Sequence, residues 1–528
     1  MELAVRLTTA DILAIIGFLI LCMGIGMFFS RKNKSSEDYF LAGRSMTWPI
    51  IGFSLFASNI SSTTLIGLAG DAYATGISVF NYEWMAAFVL VFFCVFMLPF
   101  IVKSQVYTMP EYLERRYDHR VRMYFACLTL FLNIVVETAA ALYAGSLVVG
   151  MAFPMLEQWQ IIAILAVLAG AYTAIGGLSA VMIAETAMVI VLLVGSAILS
   201  YLAYDAIGGF HVIAEKIEPE KLSLIRPLND EGVPWLGLVT GVPLLGFYFW
   251  CTNQFMVQRI LAAKDVQHGR KGALMAGLLK LTVLFTMVLP GTAAILLYPD
   301  LERPDLVYPT LLFKLMPPIL LGLVFAGFIG ALLSAVDATL NSASTLVTMD
   351  IVKRFKPDLT SKQLMVVGKA ATLVIMLLAV LWAPQIKHFD SLFKYLQTVI
   401  AYAVPPSASM FLVGAFWRRA NAEGAFAAMI VGIVAGIVLF IANAVMGVVD
   451  IHFLYIVPIL VILCVATLVV VSLRYPAPDA SKTDGMVWTS AYFKQETESL
   501  KGLAWYNNYR VLSVFLLILT VWLVATYA

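Results

Sequence analysis

SLFASNISSTTLIGLAG (54–70) and GLVTGVPLLGFYFW (237–250) are the two stretches whose reading decides the fold. Each sits inside an apolar run long enough to cross a bilayer, yet each makes a poor helix. The first gathers Ser, Thr, Asn and Gly at mid-depth, and the second carries Gly241, Pro243 and Gly246. Glycine and proline weaken or interrupt a helix. In hydrocarbon the freed backbone groups are tolerated only where protein surrounds them. Both stretches are therefore expected to be broken spans around a buried site.

The surrounding sequence supplies the membrane. Of 528 residues, 61% are hydrophobic and only 12% are charged, about half the charge of a soluble chain. Apolar runs recur near 9–30, 46–72, 78–102, 122–150, 159–176, 178–206, 235–258, 272–298, 317–348, 365–385, 392–416, 422–447, 453–473 and 509–527. The chain reads as an all-α polytopic membrane protein of about fourteen transmembrane helices. With the amino terminus outside, RKNK (31–34), ERRYDHRVR (114–122), Arg259 to Lys271, KRFK (353–356), Arg418–Arg419 and the 474–508 loop collect most lysines and arginines on the inner side. Positive residues face inward, so both termini are expected outside. The net charge of +2 points to no nucleic-acid partner. The five cysteines lie in apolar stretches without metal-ligand or redox spacing and read as small buried hydrophobes. No metal cluster, nucleophile motif or phosphate loop suggests an enzyme.

The two weak spans stand five helices apart, so the chain crosses them in opposite directions. A five-plus-five inverted repeat over 46–206 and 235–416 follows. It is preceded by a first helix and link (1–45), divided by an outer loop (207–234), and followed by three peripheral helices (417–528). Matched interrupted helices point to a transporter's midplane site; glycines that only let helices pack closely are the bland alternative.

Charged groups deep in a span are costly and functional by default. Glu83, Glu137, Glu185, Lys280 and Asp337 are such groups, and Asn59, Asn133 and Gln397 add uncharged ones. Glu83 and Lys280 offer the mixed acceptors and donors a polyhydroxylated ligand needs, or an ion pair holding the bundle together. GALLSAVDATLNSAST (330–345) makes one small, polar helix face. A bare sodium ion takes hard oxygen ligands: carbonyls from the frayed backbone near Ala57 to Ile60, and the hydroxyl of Ser334. All five histidines fall in loops or at span ends.

Several strings resemble the sodium/solute symporters, and within them the sodium–sugar branch. They are SSEDYFLAGRS (35–45), SLFASNIS (54–61), YTAIGGLSA (172–180), WCTNQFMVQRILAAK (250–264) with LLKL (278–281), and LNSASTLVTMDI (340–351). The resemblance covers nearly the whole chain and implies a LeuT-type fold. It implies a sodium site of backbone carbonyls at Ala57, Ile60 and Ala331 with the Ser334 hydroxyl. A second serine usual in the family is Ala335 here, leaving Asp337 and Glu185 as assistants. Asn59, Thr64, Glu83, Lys280 and Gln397 fall on substrate positions. Phe249 stands where a tyrosine usually closes the inner side, and Leu68 and Phe393 stand at the outer gate. The expected function is sodium-coupled symport of a sugar or polyol at the cell (inner or plasma) membrane, with the lipid bilayer as surroundings and no obligatory protein partner. Another solute (a carboxylate, amino acid or vitamin), proton coupling through Glu185, Glu137 or Asp337, and a non-transporting sensor are the alternatives.

Overall fold

The computed structural model describes residues 7–30, 35–389 and 392–528. The basic segment RKNK (31–34) lies outside the described residues, as do the side chains of 171–177 and 180 in the YTAIGGLSA string. Fifteen helical elements are labelled in chain order: α1 Thr9–Ser30, α2 Trp48–Asn59, α3 Ser62–Thr75, α4 Ile77–Phe96, α5 His119–Ala152, α6 Gln158–Ala206, α7 Trp235–Thr252, α8 Val266–Leu297, α9 Leu320–Phe355, α10 Ser361–His388, α11 Leu392–Ala403, α12 Pro405–Phe416, α13 Ala422–Val445, α14 Phe453–Arg474 and α15 Tyr509–Thr526. The described residues form no strands, only two isolated bridges.

Among the described residues, ten helices are long and apolar enough to cross a membrane, and two bent pairs raise that to twelve. The fourteen expected from apolar runs include two more stretches, Thr9–Cys22 and Gln158–Gly170, that are apolar but shorter. Residues 159–176 and 178–206, read from the sequence as two spans, lie in the single element α6. Its 49 residues correspond to about 73 Å of helix, more than twice a hydrocarbon core.

The first bent pair is the broken span expected at 54–70: α2 and α3 meet at 57°. Serine and asparagine side chains compete with helical backbone bonds there. Ile60 has left the helical region (φ −81°, ψ 78°), and the Ser61 amide turns to the Asn59 carbonyl. The second bend is not at 237–250. Residues Trp235–Phe247 are helical straight through Pro243, and the chain leaves the helix at Asn253, after a π turn over Tyr248–Thr252. The glycines serve packing instead. A Cβ at Gly237 would come 2.8 Å from the Leu454 Cβ, and one at Gly241 would overlap the Leu454 carbonyl, so α14 lies directly on α7. The second bent pair is α11 with α12, at 55°. Pro405 and Pro406 open α12, and proline lacks the amide that would continue α11.

α9 is the central element: nine-tenths of its most apolar window is buried (89%), against 28% for α13 and α15. It runs along α6 and touches both halves of the first bent pair. Exposed leucines, valines and isoleucines on α10, α13 and α15 form the apolar exterior that hydrocarbon covers. Four of the five cysteines are buried, but Cys127 is exposed. It shares a face of α5 with Phe131, half-exposed one turn on, so bilayer rather than protein covers it.

Gly241→Ala is expected to destabilise the purified protein by about 1–3 kcal/mol through overpacking, seen as a lower melting temperature in detergent. Gly17→Ala, with nothing within 4 Å of the new methyl, is the control and should not lower it.

Candidate functional site

The break between α2 and α3 opens onto one polar cavity of about 1060 Å³, counting its mouth. Asn59, Thr64, Leu68, Glu83, Phe249, Lys280, Phe393 and Gln397 all line it. The structure thus brings together every residue assigned from sequence to the solute site and its gates. They arrive from α2, α3, α4, α7, α8 and α11, so neither bent pair nor any single helix makes the site alone.

At its centre Lys280 Nζ donates to both Asn59 Oδ1 and Glu83 Oε2. The ammonium is 1% exposed and the carboxylate 8%. The Phe56 and Trp250 rings each lie 6.0 Å from the ammonium, adding weaker cation–π attraction. Glu83 lies in the first turn of the Asn81–Phe96 helix, where backbone amides favour an anion. The ion pair and the ligand wall foreseen as alternatives are therefore one object: the pair holds α2, α4 and α8 together and still faces the cavity.

Thr64 has a different occupation from the one expected. Its hydroxyl donates to the Asn59 carbonyl and so caps the helix break, while the residue also lines the cavity. Gln397 has no hydrogen-bond partner among the described residues, leaving its amide to a ligand. Phe249 stacks edge-on against Phe255 at 5.7 Å, and Phe393 against Tyr82 at 5.3 Å. Tyr82, Glu137, Tyr248 and Thr339 also line the cavity without having been assigned to it from sequence; Glu137 was flagged only as a deep charge.

The proposed cation donors stand behind this wall. None of Ala57, Ile60, Ala331 and Ser334 lines the cavity, whereas Ala335 does. The Ser334 hydroxyl is buried and has no partner. Ile60 and Ser61 send their amides to Phe56 and Asn59, so no described hydrogen bond reaches the carbonyls of Ala57 and Ile60. Hard, unsatisfied oxygens on the break and on α9 fit the chemistry of a sodium ion. Nothing in the side chain of Ala335 supplies the family's additional hydroxyl. Asp337 is buried on the same helix.

Glu185 is committed elsewhere. Arg259 Nη2 donates to its Oε1 at 2.6 Å, and Arg259 Nε donates to Ser54 Oγ at 2.9 Å. Ser54 in turn donates to Glu185 Oε2. Both charges are buried, at 0% and 1% exposure. Arg259 stood inside WCTNQFMVQRILAAK but carried no assigned role; its sequence signal was a cation too close to a span end to be idle.

A bundle of apolar helices bent around a mid-span polar cavity defines a membrane transporter, and this is a multi-pass membrane protein. The chain belongs to the sodium:solute symporter family, whose model matches residues 39–432. It is 34% identical to sodium/glucose cotransporter 4 of Danio rerio, over 94% of this chain and 83% of that one. It is 33% identical to sodium/myo-inositol cotransporter 2 of Oryctolagus cuniculus, over 91% and 79%. Among solved structures it resembles a Na+-coupled sialic acid symporter with a TM-score of 0.79 at 22% identity, covering 89% of this chain and 99% of that one. The nucleobase-cation-symport family transporter Mhp1 follows at 0.56, with 16% identity over 86% and 99%. The fold is that of the LeuT-type transporters.

Removing one partner of a buried pair leaves the other charge uncompensated, at a cost of about 3–5 kcal/mol. Glu83→Gln and Lys280→Met are each expected to lower the melting temperature markedly. The double variant should recover most of that loss in a thermal-shift assay.

Proposed function

We propose that the chain carries a sugar or polyol across the cell membrane together with sodium, by alternating access. The observation that carries this reading is the single cavity uniting Asn59, Glu83, Lys280 and Gln397, backed by the unpartnered Ser334 hydroxyl and the open carbonyls of Ala57 and Ile60. The relatives named above are cotransporters of glucose and of myo-inositol, which supports a polyhydroxylated solute.

In this reading sodium bridges the broken span and α9 through Ala57, Ile60, Ala331 and Ser334, and favours the outward-open state. Binding there fixes the backbone on both sides of Asn59, whose side chain faces the solute. The solute then exchanges hydrogen bonds with Asn59, Glu83, Lys280 and Gln397, donating to the Glu83 carboxylate and accepting from the Lys280 ammonium. Leu68 and Phe393 close above it, the two repeats (46–206 and 235–416) rock, and Phe249 moves aside to release it inward. Only a difference in affinity between the two states couples these steps. Fourteen crossings with both termini on the outer side agree with the distribution of basic residues. Asp337 assists at the cation site; Glu185 acts through Arg259.

The test is uptake into proteoliposomes. An inward sodium gradient should drive accumulation of a hexose or inositol, and failure with every sugar and polyol tried would sink the reading. Ser334→Ala should raise the sodium concentration for half-maximal uptake about tenfold, since a bond to a charge is worth roughly 1.5–3 kcal/mol. Gln397→Ala should mainly raise the solute concentration needed.

A further inference from the structure

The cavity wall contains two acidic residues and one basic one: Glu83, Glu137 and Lys280. Glu83 and Lys280 satisfy each other. Glu137 forms no hydrogen bond and no ion pair among the described residues, so the wall has one acidic side chain without a partner.

This carboxylate is built into the cavity. It sits in a π turn over Asn133–Thr138, a helix irregularity that recurs at functional sites. The turn is held from two sides. Asn133 Nδ2 donates to Ser342 Oγ at 3.2 Å, and the Thr138 and Thr339 hydroxyls meet at 2.8 Å, both contacts with α9. From α11, the Tyr395 hydroxyl donates to the Val135 carbonyl at 2.7 Å. Tyr248 lines the same cavity, in another π turn, with its hydroxyl buried and without a partner. An unpartnered acidic side chain and an unsatisfied phenol thus share the cavity with the Glu83–Lys280 pair. The proposed sodium donors are outside the cavity wall, so an ion held there does not take Glu137's place as a ligand group.

An unpaired acidic group in a low-dielectric wall is costly to ionise, and a ligand that brings a cation offsets that cost. We propose that Glu137 and Tyr248 form a second recognition arm that selects a polyhydroxylated solute bearing an ammonium group, an amino sugar or amino polyol, over its neutral parent. This rests on the cavity being the solute site. The ammonium donates to the Glu137 carboxylate, the Tyr248 hydroxyl bonds an adjacent oxygen, and the remaining hydroxyls face Asn59, Lys280 and Gln397.

The experiment compares three ligands on the purified full-length protein in saturating sodium: glucosamine, glucose and N-acetylglucosamine. Binding is read by calorimetry at about pH 6.5, where the free amine is charged. Glucosamine should bind about tenfold or more tightly than both others, because acetylation removes the charge and keeps the nitrogen. In Glu137→Gln the glucosamine-to-glucose ratio should collapse to within about threefold. Equal binding of glucosamine and glucose by the native protein overturns the proposal while leaving the solute site standing, and so does an unchanged ratio in the variant. Absence of binding by all three overturns the reading of the cavity and the proposal with it. Because the three ligands are compared on the native chain, a variant that fails to fold does not remove the test.

Discussion

Backbone amides and carbonyls released from a helix inside hydrocarbon have no water to turn to. At Ile60 this chain releases several of them, and much of the molecule is arranged around that fact. The Ser61 amide and the Thr64 hydroxyl both take the Asn59 carbonyl. Ser58 returns its hydroxyl to the Ser54 carbonyl, and the Ser62 hydroxyl reaches the Ala141 carbonyl on α5. What remains open is a small set of hard oxygens facing α9. The break persists because α9 and α6 enclose it, and it creates the cavity because α3 departs at 57° from the line of α2.

Buried charges tie the break to its surroundings. Lys280 joins Asn59 on α2 to Glu83 on α4, while Arg259 joins Ser54 on α2 to Glu185 on α6. Neither pair need add stability over an apolar replacement of the same shape, since desolvation offsets much of the Coulomb attraction. Their effect is to fix which groups on α2 face which neighbour. A third buried cation works on the other bent pair. Arg116 donates to the carbonyls of Gly414, Ala420 and Trp417 at 2.8–2.9 Å, which satisfies the end of α12. Each bent span thus has a buried arginine: Arg116 satisfies backbone carbonyls where α12 ends, and Arg259 ties the Ser54 side chain of α2 to Glu185.

How much of this was legible depends on whether the deciding signal was local. The 54–70 break was readable because Ser58, Asn59, Ser61, Ser62, Thr63 and Thr64 crowd about two turns and compete with the helix directly. Glu83 and Lys280 were readable because charged groups in apolar spans stand out, with Asn59 and Gln397 as uncharged polar groups beside them; Thr64, Leu68, Phe249 and Phe393 came from the family resemblance, and all eight line the cavity. The 237–250 break was misplaced for a physical reason: glycine lowers helix propensity and also admits a neighbour, and sequence cannot tell which. Leu454, more than two hundred residues away, decides it. The diproline at 405–406 was the stronger local signal for the second bend. Partnerships were the least legible. Arg259 with Glu185 and Thr64 with the Asn59 carbonyl depend on contacts that only the folded chain brings together.

Under the proposed function, the coupling of ion to solute reduces to the geometry of one residue. Asn59 offers its side-chain oxygen to Lys280 and its carbonyl to the helix break, between the open carbonyls of Ala57 and Ile60. An ion drawn to those carbonyls fixes the Ala57–Ser58 and Ile60–Ser61 peptide planes, which bracket Asn59, and so restrains the direction of its amide. The solute meets that amide already oriented, so less ordering remains to oppose its binding. By linkage the solute must tighten the ion to the same degree. Ala335 bears on the ion's half of this exchange: with one hydroxyl fewer on α9, more of the ion's ligation falls to the break itself. A cation site weighted toward the break's backbone and away from α9 ties occupancy more closely to the bend. The loss of a ligand at Ala335 and the strength of coupling through Asn59 are then two consequences of the same arrangement.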